Sequence, residues 1–461
     1  MAKGRKKWLV SGSLTKKGMR RIVIGFLILS VMVFAGCSKE KAGEEDGKKN
    51  VGIRRELEPL DYNRGQASTA DSQMVMVTEK GYYYYNPREF SGSNETMGLR
   101  YVDAETGTDI FLCNKPECRH DGNQFCSATN KKYEISATFL YGDRIYAVAT
   151  EETDTQYLQK LLSVTLDGSE LNEELTIYTL EKTGGKWFGN CYGFLIHRNT
   201  AIIGFGFSAA EVEPKRGTAI VDLNTGDVVY LDEEPLSEEN IGVNNLNAYG
   251  DTIYYCKKEG KKNVLYRYHI TDGTVDSCEL LPGFNQKYAV LDEDTIVYMK
   301  SSKRAICVYR PSTGENTEHR LLETELSYGE DGEKIEKTVE YEGDGIKTDG
   351  TYLYVPQQRA TFREFGRDFH FVIHVFDRDL KEITAVDVGP LLEVFHTDTG
   401  EEVVADAAYW REIGEYVMYL GEDIYFLSYI MGTNLNYYVH HCKRSDLLAG
   451  NPQLEFLFGM K

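Results

Sequence analysis

The sequence predicts an all-β chain, a single β-propeller of seven four-stranded blades behind a secretory leader and a flexible tether. Three observations predict it. A turn carrying Gly or Asp and leading into an aromatic and aliphatic strand recurs along the chain. A second pattern, a strand running into a Thr-Gly or Asp-Gly turn, alternates with the first. Helical periodicity is almost absent, and the balance of 32 Tyr against 10 Pro and 10 Met favours strands.

The first pattern appears as Gly81-Tyr-Tyr-Tyr-Tyr85, Gly142-Asp-Arg-Ile-Tyr146, Gly250-Asp-Thr-Ile-Tyr-Tyr255, Asp294-Thr-Ile-Val-Tyr298, Asp349-Gly-Thr-Tyr-Leu-Tyr354 and Gly421-Glu-Asp-Ile-Tyr-Phe426, with a degenerate copy at Asn199-Thr-Ala-Ile-Ile203. The second ends in turns at Gly107, Gly168, Gly226, Gly273 and Gly314. Copies without the glycine lie at Asp379 and Asp446. Gly and Asp supply the φ > 0 positions of tight hairpins. One such unit cannot bury both its faces, whereas units stacked in a ring can, and few edges stay exposed. A pair of β-sandwiches is the rival architecture. Six or eight blades stay open because residues 320–345 contain an extra hairpin-like stretch. One blade is expected to be completed across the chain ends, with Glu455-Phe-Leu-Phe458 and Gln73-Met-Val-Met-Val77 as its candidate strands.

Three segments are expected: 1–36 as a signal peptide, 37–65 as a tether that begins at Cys37, and 66–461 as the propeller. Residues 1–21 hold eight Lys or Arg and no acid, and an uncharged run from Ile22 to Ala35 follows. As helix this run reaches only about 21 Å, short of a bilayer's ~30 Å hydrocarbon core. It ends in Val-Phe-Ala-Gly-Cys, and Ala35-Gly36-Cys37 resembles the lipobox of bacterial lipoproteins, with Phe34 where Leu is usual. That resemblance makes Cys37 the lipidated residue, cut and acylated so that several chains anchor the protein. Ser38 to about Gly65 is rich in Lys, Glu, Asp and Gly, a composition that cannot offset its ordering entropy. The expected location is the extracytoplasmic face of the cell membrane.

Removing the leader takes eight basic residues from the 52 Lys and Arg, leaving 44 against 72 acids, a net charge of −28. So acidic a surface repels nucleic acid and anionic lipid headgroups. The membrane is therefore reached through the lipid on Cys37, and the propeller is expected to be a monomer.

Cys113-Asn-Lys-Pro-Glu-Cys118-Arg-His120-Asp-Gly-Asn-Gln-Phe-Cys126 gathers three Cys and one His within fourteen residues. Pro116 and Gly122 make it a loop. Cys₃His is a ligand set that tetrahedral Zn²⁺ accepts, so a structural zinc at Cys113, Cys118, His120 and Cys126 is one reading. A disulfide between two of these cysteines is a second, since an exported protein sits where disulfides persist, though it leaves an odd thiol, and neither metal nor disulfide is the third. Cys191, Cys256, Cys278, Cys307 and Cys442 are scattered among strand residues and are expected to be small buried hydrophobes. His370 and His374 share a strand face but stand about 13 Å apart, too far to bind one metal. His440 and His441 point to opposite faces. The acidic loops Asp292-Glu-Asp294 and Glu342-Gly-Asp344 lack the regular spacing of a calcium loop and read as solvated.

No nucleophile elbow, phosphate-binding loop, dinucleotide fingerprint or His-Glu-x-x-His is present, and the mature chain's two tryptophans, Trp187 and Trp410, make no repeat. No catalytic residue is assigned. The combination of lipobox, acidic tether, Tyr-rich Asp-Gly-x-Ile-Tyr-Tyr repeats and the Leu-Cys-Asn-Lys-Pro-Glu-Cys-Arg-His segment resembles a group of bacterial surface lipoproteins of unassigned function. Their propellers are similar to those of low-density-lipoprotein-receptor-related proteins. The resemblance implies fold and location and names no substrate. Two function classes follow: a binding or scaffolding module for an extracellular protein or carbohydrate, and, as the alternative, a hydrolase or lyase acting on extracellular polysaccharide.

Overall fold

The structure is a computed structural model that describes residues 49–50, 66–67 and 75–459, apart from internal stretches of at most eleven residues. The expected signal peptide, Cys37, most of the expected tether and the Glu342–Asp344 loop lie outside the described residues.

Seven four-stranded antiparallel blades follow one another along the chain and form a ring. Blade 1 comprises Val75–Val77, Gly81–Asn86, Gly98–Asp103 and Asp109–Phe111. Blade 2 is Tyr133–Tyr141, Arg144–Glu152, Gln156–Thr165 and Leu171–Glu181. Blade 3 is Trp187–His197, Thr200–Ala209, Val212–Asp222 and Val228–Tyr230. Blade 4 is Asn244–Tyr249, Thr252–Glu259, Lys262–His269 and Thr274–Cys278. Blade 5 is Phe284–Asp292, Thr295–Lys300, Ala305–Arg310 and Glu315–Arg320. Blade 6 is Lys347–Thr348, Leu353–Arg363, Gly366–Phe376 and Glu382–Asp387. Blade 7 is Arg411–Leu420, Asp423–Ile430, Tyr437–Lys443 and Glu455–Gly459.

The core lies between blades. One apolar cluster draws on blades 1 and 2, a large one on blades 2, 3 and 4, and others on blades 4 and 5, 5 and 6, and 6 and 7. A further cluster joins blade 7 to blade 1. Because a blade is covered on both faces, its second strand is apolar without alternation, as in the fully buried run Thr200–Phe207. The tyrosines belong largely to this core: Tyr84, Tyr255, Tyr268, Tyr298 and Tyr354 are all buried.

The turns explain the repeat. Gly107, Gly168, Gly226, Gly273 and Gly314 all have φ between +67° and +76°. An aspartate ahead of the glycine accepts backbone N–H groups: Asp103 from Glu105 and Thr106, Asp222 from Asn224. Blade 6 lacks the glycine, and there Leu380 takes φ +59° while Asp377 accepts the N–H groups of Asp379 and Lys381. In blade 7 the turn expected at Asp446 is instead a short helix, Arg444–Leu448, followed by Gly450 at φ +76°.

Two expectations are resolved by the pairing. The stretch 320–345 is a separate hairpin, Leu322–Tyr328 with Lys334–Glu340, so it adds no blade. A second hairpin, Val394–His396 with Glu402–Val404, has no counterpart in the sequence reading. The expected blade shared between the chain ends is corrected. Val75–Val77 pairs within blade 1 and Glu455–Gly459 within blade 7. Each end strand already has its backbone partner, so the seam is closed by side chains. Phe458 stacks on Tyr84 and meets Tyr82 with ring centroids 5.6 and 5.3 Å apart, and Tyr82 meets Tyr425 at 6.1 Å.

Within the segment read as a tether, Lys49–Asn50 pairs with Thr274 and Val275 at one edge of blade 4. Gln66–Ala67 pairs with Asn247 and Ala248 at the other edge.

Candidate functional site

The cysteine loop leaves the last strand of blade 1 at Phe111 and reaches the first strand of blade 2 at Tyr133. Its entrance is pinned to both blades. The Leu112 N–H donates to the Leu99 carbonyl, and the Leu99 N–H donates to Ala128, at 2.9 and 3.0 Å. The Ser127 hydroxyl donates to the Gly168 carbonyl of blade 2 at 2.6 Å. Gly168 is required there twice over, by its φ of +68° and because a Cβ would stand 2.6 Å from the Leu112 backbone. Further along, the Cys118 N–H closes a turn onto Lys115, and Gly122 at φ +85° bonds back to Thr129.

This path brings together all four residues singled out from the sequence. The candidate ligand atoms of Cys113, Cys118, His120 and Cys126 all lie within 4.8 Å of one another. Cys126 is buried and the other three are half-buried. His120 adopts φ +53°, a left-handed conformation that among non-glycine residues Asn, Asp and His enter most readily, and its Nδ1 sits 3.5 Å from Cys126 Sγ. Its ring packs on Phe111 at 5.0 Å, and Phe111 in turn lies under the Arg100 guanidinium. Cys126 Sγ accepts hydrogen bonds from the Thr129 N–H at 3.3 Å and the Thr129 hydroxyl at 3.2 Å. Burial pushes the Cys126 thiol up, against the pull of these donors. At Cys113 burial also opposes ionisation, but hydrogen bonds from Lys115 and Ser127 outweigh it and bring the thiol below its ordinary value. None of the cysteines among the described residues is in a disulfide.

The same loop walls a cavity of about 390 Å³, lined by Lys115, Phe125, Asn130, Lys132, Tyr133, Leu171 and Glu173. Phe125 is 69% exposed although it is a large apolar side chain. The floor belongs to blade 2 and is an ionic network. Glu173 accepts from Lys132 at 2.6 Å, and from Lys160 and the Tyr133 hydroxyl. Lys160, nearly buried, also meets Glu151 at 2.6 Å. Hydrogen bonds from Lys132, then Lys160 and Tyr133, hold the Glu173 carboxyl down at about 2. Phe125 and the Lys132–Glu173 pair went unrecognised in the sequence, where nothing but their flanking of the cysteine motif marks them.

The other sequence candidates are placed as follows. Cys256, Cys278, Cys307 and Cys442 are buried, and burial raises their thiols, that of Cys278 to about 11 and that of Cys442 to about 12. Cys191 departs from expectation by being half-buried. His374 pairs with Glu382 at 2.6 Å. His440 is buried beside Phe456, while His441, on the opposite face, meets Glu455 at 3.1 Å. Asp294 accepts the Ser312 N–H and hydroxyl, and Asp292 pairs with Arg378, so this acidic loop serves its own turn and the contact with blade 6. Among the described residues, the cysteine loop is the one group of three or more His, Cys, Asp or Glu whose ligand atoms converge. No helix among them is long and apolar enough to cross a membrane.

No family model matches the chain, and no curated protein matches it. Solved structures similar to it include an oligogalacturonate lyase from Vibrio parahaemolyticus, at 12% identity and TM-score 0.38, with 72% of this chain and 80% of that one covered. TolB from Acinetobacter baumannii is similar at 13% identity and TM-score 0.33, covering 66% and 62%. A chain of a nidogen/laminin complex is similar at 10% identity and TM-score 0.30, covering 62% and 89%. Likeness at these levels carries no functional argument; the seven blades stand on the strand pairing itself.

Proposed function

We propose that the chain is a membrane-tethered, extracytoplasmic lipoprotein whose propeller is a binding module for an extracellular ligand. The observation that carries the reading is the cavity beside the cysteine loop. A ring of packed blades supplies a rigid frame, and the loop presents Phe125 to solvent above Lys132, Glu173 and Asn130. An exposed ring beside a few fixed polar groups suits a ligand with one apolar face and many hydroxyls, the chemistry of a sugar. Among the described residues no feature favours cleaving a polysaccharide over binding one. Anchoring is supported by the basic leader, the short apolar run and Ala35-Gly36-Cys37.

The test uses the full-length chain in detergent, applied to arrays of extracellular polysaccharide and peptide fragments. Wild type is expected to retain sugar fragments, and Phe125→Ala to weaken them about tenfold, the worth of roughly 1.4 kcal/mol, with unchanged circular dichroism. Equal retention by the variant, retention of peptides alone, or retention of nothing counts against the reading. Separately, Cys37→Ala is expected to leave the membrane fraction or keep its leader uncleaved; a processed, lipidated variant refutes Cys37 as the anchored residue.

A further inference from the structure

We propose that Cys113, Cys118, His120 and Cys126 bind one structural Zn²⁺, which fixes the loop that walls the cavity. The first argument is convergence. Four ligand atoms of a Cys₃His set, from positions spread over fourteen residues, lie within 4.8 Å of one another. In a tetrahedral zinc site, with Zn–S near 2.3 Å and Zn–N near 2.0–2.1 Å, sulfur–sulfur edges are about 3.8 Å and sulfur–nitrogen edges about 3.6 Å. Cys126 Sγ and His120 Nδ1 already stand at 3.5 Å, such an edge. A contraction of about 1 Å across the widest edge completes the tetrahedron.

The second argument is the surroundings. Thr129 directs its N–H and its hydroxyl at Cys126 Sγ, the outer-shell donors that a zinc thiolate takes. His120 holds φ +53°, and its ring is braced on Phe111. Backbone strain of this kind persists where the surroundings over-determine it. A bond to a metal would supply that determination.

The third argument is chemical. A disulfide would need two sulfurs at about 2.05 Å and would strand the third; the three sulfurs here are unbridged. Thiolates and one imidazole select a soft or borderline cation, and a closed set of four protein ligands is the arrangement of structural zinc. Binding releases the thiol protons and leaves no position for a substrate, so the site staples and does not catalyse.

The consequence reaches the cavity. Phe125 is the chain neighbour of Cys126, and Lys115 lies between Cys113 and Cys118. Ligation therefore fixes these two of the cavity residues that the loop contributes. This last step rests on the binding reading above, whereas the metal site does not.

The test is elemental analysis of the full-length chain purified without chelator, with thiols counted under native conditions before and after a zinc chelator is added. One zinc per chain, and three further reactive thiols after chelation, is the expected result. Replacement by Co²⁺ is expected to give thiolate charge-transfer absorption and the d–d bands of a tetrahedral ion. Cys118→Ser is expected to lose the zinc, while Cys191→Ser, outside the cluster, keeps it. Should Cys118→Ser fail to fold, wild-type stoichiometry, chelation and the cobalt spectrum still decide. No zinc, iron in its place, or thiols that appear only with reductant overturn the site. Zinc bound with unaltered sugar retention after chelation leaves the metal standing and removes its link to the cavity.

Discussion

Phe458→Ala tests how the ring is closed. Phe458 is 6% exposed and packs with Tyr82, Tyr84, Tyr425, Leu427 and Val439 where blade 7 meets blade 1. The backbone pairing of Phe458 with Val439 belongs to blade 7 and survives the substitution. What is lost lies across the seam. Returning the ring to water costs about 2 kcal/mol, and the cavity left between two stiff sheets adds a comparable amount. Deletions of this kind fall at about 3–5 kcal/mol in all, a large part of the roughly 5–15 kcal/mol that holds a typical domain folded. Urea unfolding followed by far-ultraviolet circular dichroism measures the change, with the slope checked for constancy. Ile110→Ala, at a side chain 52% exposed, is the control and is expected within about 0.5 kcal/mol of wild type. A cost for Phe458→Ala below about 1 kcal/mol, at unchanged slope, refutes closure by side-chain packing.

Two other outcomes follow from the turns and the cavity floor. Gly107→Ala and Gly168→Ala both place a Cβ at φ +68°, which costs about 1–2 kcal/mol. Open space surrounds the first, whereas the second also drives into the Leu112 backbone at 2.6 Å. Gly168→Ala should therefore cost clearly more in denaturant unfolding, and equal costs would show that the cysteine loop is not seated on this turn. Glu173, held down at about 2 from an ordinary 4.5, contributes stability that is full above pH 4.5 and is lost as pH falls through about 2. The stability difference between wild type and Glu173→Gln should shrink across that window, and more salt should diminish it, since the carboxylate is partly exposed. A difference independent of pH would mean that the three donors do not stabilise the charge.

The repeat was legible because turn chemistry is local. A glycine at φ > 0 after an aspartate that caps its own turn is written in two or three adjacent residues, so Asp103…Gly107 and Asp222…Gly226 announced their hairpins. The same locality explains the one turn of blade 6 that was weak in sequence. Leu380 occupies a glycine's conformation because its side chain is buried in the cluster between blades 5 and 6, a gain that no neighbouring residue records. The cysteine cluster was legible as a ligand set, since four candidate donors fell within fourteen residues. Its convergence was not, because Ser127 and Asn114 bond to Gly168, which lies in blade 2, 41 residues beyond the first and farther still beyond the second.

The sequence by itself determined the acidic charge, the all-β class and the succession of hairpins, for each is a matter of composition or of residues within one turn of each other. Only the tertiary structure decided where the ring closes. Either end strand had the pattern to pair with the other, and the choice was made by which neighbour each already had and by the stacking of Phe458 on Tyr84. It also decided that Phe125, Lys132 and Glu173 share a cavity. Phe125 and Lys132 sit in the loop and Glu173 in the last strand of blade 2, and only the folding of that blade brings them to one place.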